Sequence, residues 1–267
     1  MTPLTNRFSM IGCMRIPPVV TCATAAISVA SLTLGLSVVA VAPATALTGS
    51  VTRTALRGQA AAPPATTVAA FRNGAIGAVI TAYRGPSTAS GIRGTVKNHK
   101  NVFGRAVFTV IGEQGDFYQV KLPVRPNGSV GWIAKSEVTT FANPYRIAIS
   151  LSRRTLTAYN GSQVILSTKA AVGKAKAPTP TGEFYTVDLL APRSKTGAYG
   201  PYAIGLSGFS NVYQKFGTGD GRIAIHGTND PKRIGTAVSS GCVRLSNANI
   251  TRLATTLPLG TPVSITA

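Results

Sequence analysis

The chain has 267 residues, with 27 Lys and Arg against 7 Asp and Glu, so its formal net charge is +20. A hydrophobic content of 44% is ordinary for a globular protein and too high for a disordered one. Two histidines and three cysteines argue against a multi-ligand zinc or iron–sulfur site, and seven acids argue against a calcium site. We therefore expect no metal and no cofactor.

Residues 1–46 have the organisation of a signal peptide. Arg7 and Arg15 precede an uncharged stretch that runs to residue 52, and the small-x-small sequence Ala44-Thr45-Ala46 closes the apolar part. Cleavage after Ala46 predicts a secreted protein of the cell wall or a periplasm-like space. The alternative is an uncleaved membrane anchor, because the apolar run is long enough to span a bilayer.

Export limits the roles that the cysteines and the positive charge can have. Cys242 is the single cysteine that follows the predicted signal peptide. A free thiol in an oxidising compartment is a liability unless it is buried or used. The excess positive charge fits an anionic cell wall as partner, or serves solubility alone, and export argues against nucleic acid.

Two folded units are predicted after a linker at residues 47–70, which are rich in Ala, Thr and Pro and show no periodicity. Residues 71–141 hold short strand-like pieces separated by turns, which predicts a small β-barrel or sandwich. This stretch resembles the SH3-like domain of exported bacterial proteins, particularly at Gly131-Trp132-Ile133. The resemblance implies a role in spacing or wall binding, and we expect this unit to be dispensable for chemistry. Its predicted strands are Val107–Ile111, Phe117–Leu122 and Val130–Ile133.

Residues 145–267 predict a mainly β, sandwich-like domain with one helix. Alternating apolar residues predict a half-buried strand from residue 145, and Asn160-Gly161 predicts a hairpin. Asn247 is expected to cap the helix, whose apolar face is Ile250, Leu253 and Leu257, and Gly260 is expected to end it. The other predicted strands are Thr155–Tyr159, Ser162–Thr168, Glu183–Leu189, Arg222–His226 and Thr261–Thr266.

The chemistry of this unit converges on His226 and Cys242, its only histidine and its only cysteine. Alternation places His226 opposite the aliphatic face of its strand, and does the same for Cys242 and Arg244. A neighbouring imidazole would activate the thiol, which is weakly ionised at its ordinary pKa. The alternative is an inert buried cysteine beside a core histidine.

Residues around the pair have more than one possible role from the sequence alone. Gly241 lets backbone and substrate approach closely, and its amide could join an oxyanion hole. Ser239 and Ser240 would orient the histidine or the substrate, or serve only as polar turn residues. Asp230 is a candidate for the group that orients the imidazole.

The stretch His226-Gly227-Thr228, followed by Ser239-Ser240-Gly241-Cys242-Val243-Arg244-Leu245, resembles the signature of L,D-transpeptidases with the YkuD catalytic domain. The resemblance covers residues 145–267. It implies that Cys242 is the nucleophile, that His226 is the general base and acid, and that the Gly227 carbonyl orients the imidazole. It also implies an oxyanion hole from the Gly241 and Cys242 amides.

Two further residues of the resembling region have open roles. Arg244 would bind a substrate carboxylate, since a guanidinium pairs bidentately with one, or would form a surface ion pair. Tyr202 would line the substrate cleft or pack in the core.

The resemblance implies that peptidoglycan stem peptides are the substrate and that the product is a 3→3 cross-link. It also implies acylation by carbapenems. Water as the acceptor would make the protein an L,D-carboxypeptidase instead. Ser240 departs from the family, which most often has histidine there. A non-catalytic wall-binding protein is therefore the third alternative, although we expect His226 to suffice for catalysis.

Overall fold

Short strands with alternating buried and exposed residues make up most of the protein, whose computed structural model describes residues 65–98, 105–217 and 219–267. The predicted signal peptide and most of the predicted linker lie outside these residues. Within them the protein is mainly β, as predicted, with seventeen strands and one α-helix. No helix in the described part of the chain is long and apolar enough to cross a membrane.

The N-terminal unit, residues 65–143, is a seven-stranded antiparallel sheet with the strand order β3-β2-β6-β5-β4-β1-β7. Its core includes the fully buried side chains of Ile80, Phe108 and Ile133. The likeness of this unit to SH3-like domains stays a prediction. The strands are β1 (Thr66–Phe71), β2 (Val79–Tyr83), β3 (Ile92–Lys97), β4 (Val107–Gln114), β5 (Phe117–Lys121), β6 (Val130–Ala134) and β7 (Val138–Asn143).

The predicted linker is wrong at its C-terminal end, because residues 66–70 belong to β1. This strand lies between β4 and β7 and pairs antiparallel with both. Val68 and Ala69 are fully buried. The stretch has little periodicity of its own, so its strand depends on hydrogen-bonding partners on both sides.

The C-terminal unit, residues 145–267, contains an eight-stranded sheet with the order β10-β9-β8-β17-β12-β13-β14-β16 and a separate two-stranded β11-β15 pair. Two neighbouring pairs of strands in the large sheet run parallel, namely β8 with β17 and β14 with β16. The elements are β8 (Tyr145–Ser150), β9 (Thr155–Asn160), β10 (Gln163–Lys169), β11 (Val172–Gly173), β12 (Gly182–Leu190), β13 (Ala203–Phe209), β14 (Arg222–His226), β15 (Ala237–Ser239), β16 (Val243–Arg244), α1 (Asn247–Thr256) and β17 (Pro262–Thr266).

Helix α1 has the predicted buried face, with Ile250 and Leu253 in the core, but its ends differ from the prediction. Ser246 is the N-cap, because its hydroxyl accepts a hydrogen bond from the amide of Asn249. Asn247 is the first helical residue, and its side chain is bonded elsewhere. The helix ends at Thr256, before Gly260.

The N-terminal unit also contributes to the core of the C-terminal unit. Val68 and Val107 of the N-terminal unit pack in the same buried cluster as the core of the C-terminal unit. Val68 lies so close to Gly260 that a Cβ atom there would overlap it. The buried amide of Asn143 donates to Thr261 Oγ1 over 3.1 Å, and the Tyr185 hydroxyl donates to the Lys121 carbonyl over 3.1 Å. The C-terminal unit is therefore packed against β1 and β4 rather than tethered to them.

Candidate active site

The parallel pair β14 and β16 sets the segments that carry His226 and Cys242 side by side. In this pair Ile225 lies opposite Val243, and His226 lies opposite Arg244. Ile225 and Val243 are fully buried, so the residues beside them point to the other face of the sheet. Cys242 immediately precedes β16 and is half-buried. The alternation in the sequence therefore gives the correct face for both residues.

The imidazole of His226 is buried, although it lies on the face opposite the aliphatic residues of its strand. Only 4% of the residue is exposed. The ring of Tyr199, from the loop between β12 and β13, lies against the imidazole with 4.8 Å between ring centroids. Nothing in the sequence indicates this contact, because it depends on where a long loop returns.

One hydrogen bond determines which imidazole nitrogen carries the proton. Nδ1 of His226 lies 2.6 Å from the carbonyl oxygen of Gly227. A carbonyl oxygen can only accept, so Nδ1 is the donor and Nε2 has a free lone pair in the neutral ring. The Gly227 carbonyl thus occupies the orienting position that the resemblance implies.

Asp230 does not take this orienting position. Its carboxylate forms an ion pair of 3.3 Å with Arg233, in the short 3-10 turn Pro231–Arg233. Its own amide donates to Thr228 Oγ1. Asp230 therefore stabilises the loop after β14.

Burial keeps the imidazole neutral. The pKa of His226 is lowered to about 4, with desolvation as the largest cause; the bond to Gly227 acts to raise this pKa, and the charge of Arg244 acts to lower it. Burial also raises the pKa of the Cys242 thiol, while a backbone hydrogen bond from Ala224 and the charge of Arg244 act to lower it. At neutral pH the two groups form a neutral thiol and imidazole, not an ion pair.

Ser239 and Gly241 build the turn that holds Cys242. The buried Ser239 hydroxyl donates to the Cys242 carbonyl over 2.5 Å and accepts the Gly241 amide over 3.0 Å. Gly241 has a φ of +120°, and an added Cβ would lie 3.0 Å from Ile223. Of the two roles that the sequence leaves open for Ser239, the structure favours that of a polar turn residue. The oxyanion role of the Gly241 amide stays a prediction.

Ser240, Arg244 and Tyr202 surround this turn. Ser240 is half-buried and precedes Gly241. Nε of Arg244 is buried without a hydrogen-bond partner, and none of the ion pairs among the described residues includes Arg244. Its main chain is fixed by two bonds to Ala171. Tyr202 packs partly buried against the core, and its carbonyl accepts the Gly227 amide over 3.3 Å.

Asn247 also contacts this site, although its position in the sequence predicts helix capping. Its Oδ1 accepts a hydrogen bond from the backbone amide of Thr228 over 2.9 Å.

No group of three or more His, Cys, Asp or Glu side chains in the described part of the chain could hold a metal ion.

Comparison with known proteins shows what this region is similar to. Residues 144–265 match the family model of the L,D-transpeptidase catalytic domain, YkuD. The chain is 41% identical over 122 residues to the L,D-transpeptidase YkuD of Bacillus subtilis strain 168, covering 46% of this chain and 66% of that protein. Its identity to the YkuD protein of Bacillus licheniformis is 42% over 123 residues, with the same coverage of both chains.

The chain thus spans just under two thirds of the length of these curated relatives. Among solved structures, an L,D-transpeptidase from Mycobacterium smegmatis aligns with 72% of this chain and 99% of its own. That alignment has 16% identity and a TM-score of 0.38.

Proposed function

We propose that this protein is an exported enzyme that forms 3→3 cross-links in peptidoglycan. The match of residues 144–265 to the model of the L,D-transpeptidase catalytic domain, YkuD, supports this proposal. The observation that carries the proposal is the pairing of β14 with β16. In support of the proposal, this pairing sets the segment of Cys242 next to the strand of His226, and Nδ1 of His226 is bonded to Gly227, which leaves Nε2 for the thiol. This arrangement suits nucleophilic acyl transfer by a cysteine.

Formation of the acyl-enzyme uses the neutral pair. Sγ of Cys242 attacks the carbonyl carbon of the third residue of a tetrapeptide stem, a diamino acid, while Nε2 of His226 accepts the thiol proton. The carbonyl oxygen becomes an oxyanion. Because the Gly241 amide is already bonded to Ser239, the Cys242 amide is the donor we assign to this oxygen. The oxyanion then collapses, the bond to the terminal D-alanine breaks, and His226 returns the proton to the leaving amine.

Transfer to the acceptor reverses these steps. The side-chain amine of a second stem's diamino acid attacks the thioester and gives its proton to Nε2 of His226. The carbon–sulfur bond breaks, and the departing sulfur takes the proton back. One imidazole therefore serves as base and acid in both halves, with no proton carrier required at Ser240.

Arg244 is the residue we assign to a substrate carboxylate. Its Nε is buried and unpaired in the described part of the chain, and its charge is close enough to act on both His226 and Cys242. Stem peptides carry free carboxylates beside the scissile bond. A guanidinium that binds one of them would align the carbonyl with Sγ.

Product analysis tests this proposal. Purified protein is incubated with disaccharide-tetrapeptides, and the products are separated by liquid chromatography and weighed by mass spectrometry. We expect a dimer that has lost one D-alanine, and no product with Cys242→Ala. Disaccharide-tripeptide alone would identify an L,D-carboxypeptidase. Unchanged tetrapeptide, with the protein folded, would favour a non-catalytic wall-binding protein.

A further inference from the structure

Three backbone segments meet at the side chain of Asn247. The loop before β13 passes it at Gly200, the chain leaving β14 passes it at Gly227, and helix α1 supplies Asn247 itself. A Cβ atom added to either glycine would overlap Oδ1 of Asn247. Gly200 also has a φ of +63°. The two glycines thus provide the space in which this carboxamide fits.

The contact at the centre of this junction is a hydrogen bond. Oδ1 of Asn247 accepts the amide of Thr228 over 2.9 Å, and Thr228 is only 3% exposed. A buried amide left without an acceptor is costly, so this bond fixes the peptide that joins Gly227 to Thr228. That peptide carries the Gly227 carbonyl, the group that accepts the proton of His226 Nδ1 over 2.6 Å. The carboxamide and the imidazole therefore hold the two ends of one peptide plane.

The same side chain contacts the loop that covers the imidazole. Gly200 follows Tyr199, whose ring lies 4.8 Å from that of His226. Packing of Gly200 against Asn247 therefore limits how far Tyr199 can move from the ring. Helix α1 is rigidly placed for this task, since Ile250 and Leu253 of its next turn are in the core.

We propose that Asn247 is a positioning residue that holds the Gly227 carbonyl against Nδ1 of His226 and so keeps Nε2 free for Cys242. The inference rests on the proposed function for its meaning in catalysis. Its physical content is the tautomer and placement of one imidazole, which can be measured without any substrate. A failure of the inference is therefore distinguishable from a failure of the proposed function.

Helix α1 offers a matched control. Asn249 lies two residues further along the same turn and also makes one side-chain hydrogen bond, from Nδ2 to Thr168 Oγ1 over 2.9 Å. Asn249→Ala and Asn247→Ala therefore remove the same side chain and one hydrogen bond each, from the same helix. Only Asn247 is bonded to the segment that follows His226.

The experiment uses the whole chain with ¹⁵N-labelled histidine. Nitrogen NMR reports the tautomer of His226, and iodoacetamide alkylation at pH 7, with Cys242 identified by peptide mass spectrometry, reports the activation of the thiol. In the wild type and in Asn249→Ala we expect the Nδ1–H tautomer and equal alkylation rates. In Asn247→Ala we expect a mixture of tautomers and a rate at least tenfold lower, since small misplacements of catalytic groups have effects of this size or larger.

Asn247→Asp is the conservative variant that separates positioning from folding. Its carboxylate retains an acceptor for the Thr228 amide, so we expect the Nδ1–H tautomer to persist, and the added negative charge is expected to raise the pKa of His226. Equal tautomer populations and equal alkylation rates in Asn247→Ala and Asn249→Ala would overturn the inference. If Asn247→Ala does not fold, loss of the Nδ1–H tautomer in a folded Asn247→Asp would overturn it as well.

Discussion

The buried imidazole of His226 makes the stability of the folded protein depend on pH. Its pKa is lowered from 6.5 to about 4, chiefly because burial disfavours the charged ring. Between these two values the unfolded chain binds a proton that the folded chain does not bind. The contribution of the neutral imidazole to the free energy of unfolding is therefore fully present above about pH 6.5, falls as the pH falls, and is lost at about pH 4.

The size of the effect follows from the two pKa values. The whole difference corresponds to about 3 kcal/mol, at about 1.4 kcal/mol for each tenfold change in proton affinity. Between pH 7 and pH 5 the expected loss is about 2 kcal/mol. Burial raises the pKa of Glu137, which acts in the opposite direction over this interval, and this effect is common to the wild type and to any histidine variant.

Urea denaturation of the wild type and of His226→Gln, at pH 7 and pH 5, measures this contribution. The wild type is expected to lose about 2 kcal/mol more than the variant between the two pH values. His99→Gln removes the other histidine of the chain and is the control for the loss of an imidazole as such. Equal losses in the wild type and His226→Gln would refute the account of a neutral, buried imidazole.

Three further outcomes are expected. Ser240→His changes the rate of Cys242 acylation by about tenfold at most, because His226 can both accept and return the proton; a gain beyond about a thousandfold in stopped-flow mass spectrometry would contradict this. A chain that starts at Asn143 loses cooperative thermal unfolding by circular dichroism, because Val68 no longer covers Gly260; a transition like that of the parent would show that the C-terminal unit folds alone. A carbapenem forms a stable adduct on Cys242 and none on Cys242→Ala, and an adduct of equal mass on both would assign acylation to another residue.

Residues 71–141 have a structural role that the sequence does not indicate. Residues 71–141 contain no cysteine and no credible base, so the sequence predicts that they are dispensable for chemistry. Their contribution is to the core, since Val107 packs in the same cluster as the strands of the C-terminal unit. Such packing between distant segments leaves no local signal in the chain.

Strand patterns and chemical residue types were enough to predict much of the site. Alternation in Arg222–His226 gave that strand with its observed bounds, and the histidine and cysteine motifs pointed to one cluster. Strand β13 was not predicted, because Gly205 and Gly208 interrupt its apolar pattern. The structure gives a reason for Gly208, where a Cβ atom would overlap the ring of Phe184.

The residues that hold the site in place are harder to predict from the sequence than the reacting groups themselves. Ser239 resembles any serine near a nucleophile, yet its hydroxyl is used by the Gly241 amide and the Cys242 carbonyl. Asn247 stands where helix caps are common, yet Ser246 is the cap and Asn247 reaches Thr228. Both roles depend on which backbone atoms the folded chain brings within reach, and residue type alone does not contain that information.

In the proposed reaction Cys242 carries the acyl group of a stem peptide. Intact-mass spectrometry of the protein shortly after mixing with a disaccharide-tetrapeptide, followed by peptide mapping of any adduct, tests this step directly. We expect a mass increase equal to the disaccharide-tripeptide acyl group, located on Cys242 and absent from Cys242→Ala. An adduct of that mass on another residue, or turnover of the tetrapeptide by Cys242→Ala, would contradict it.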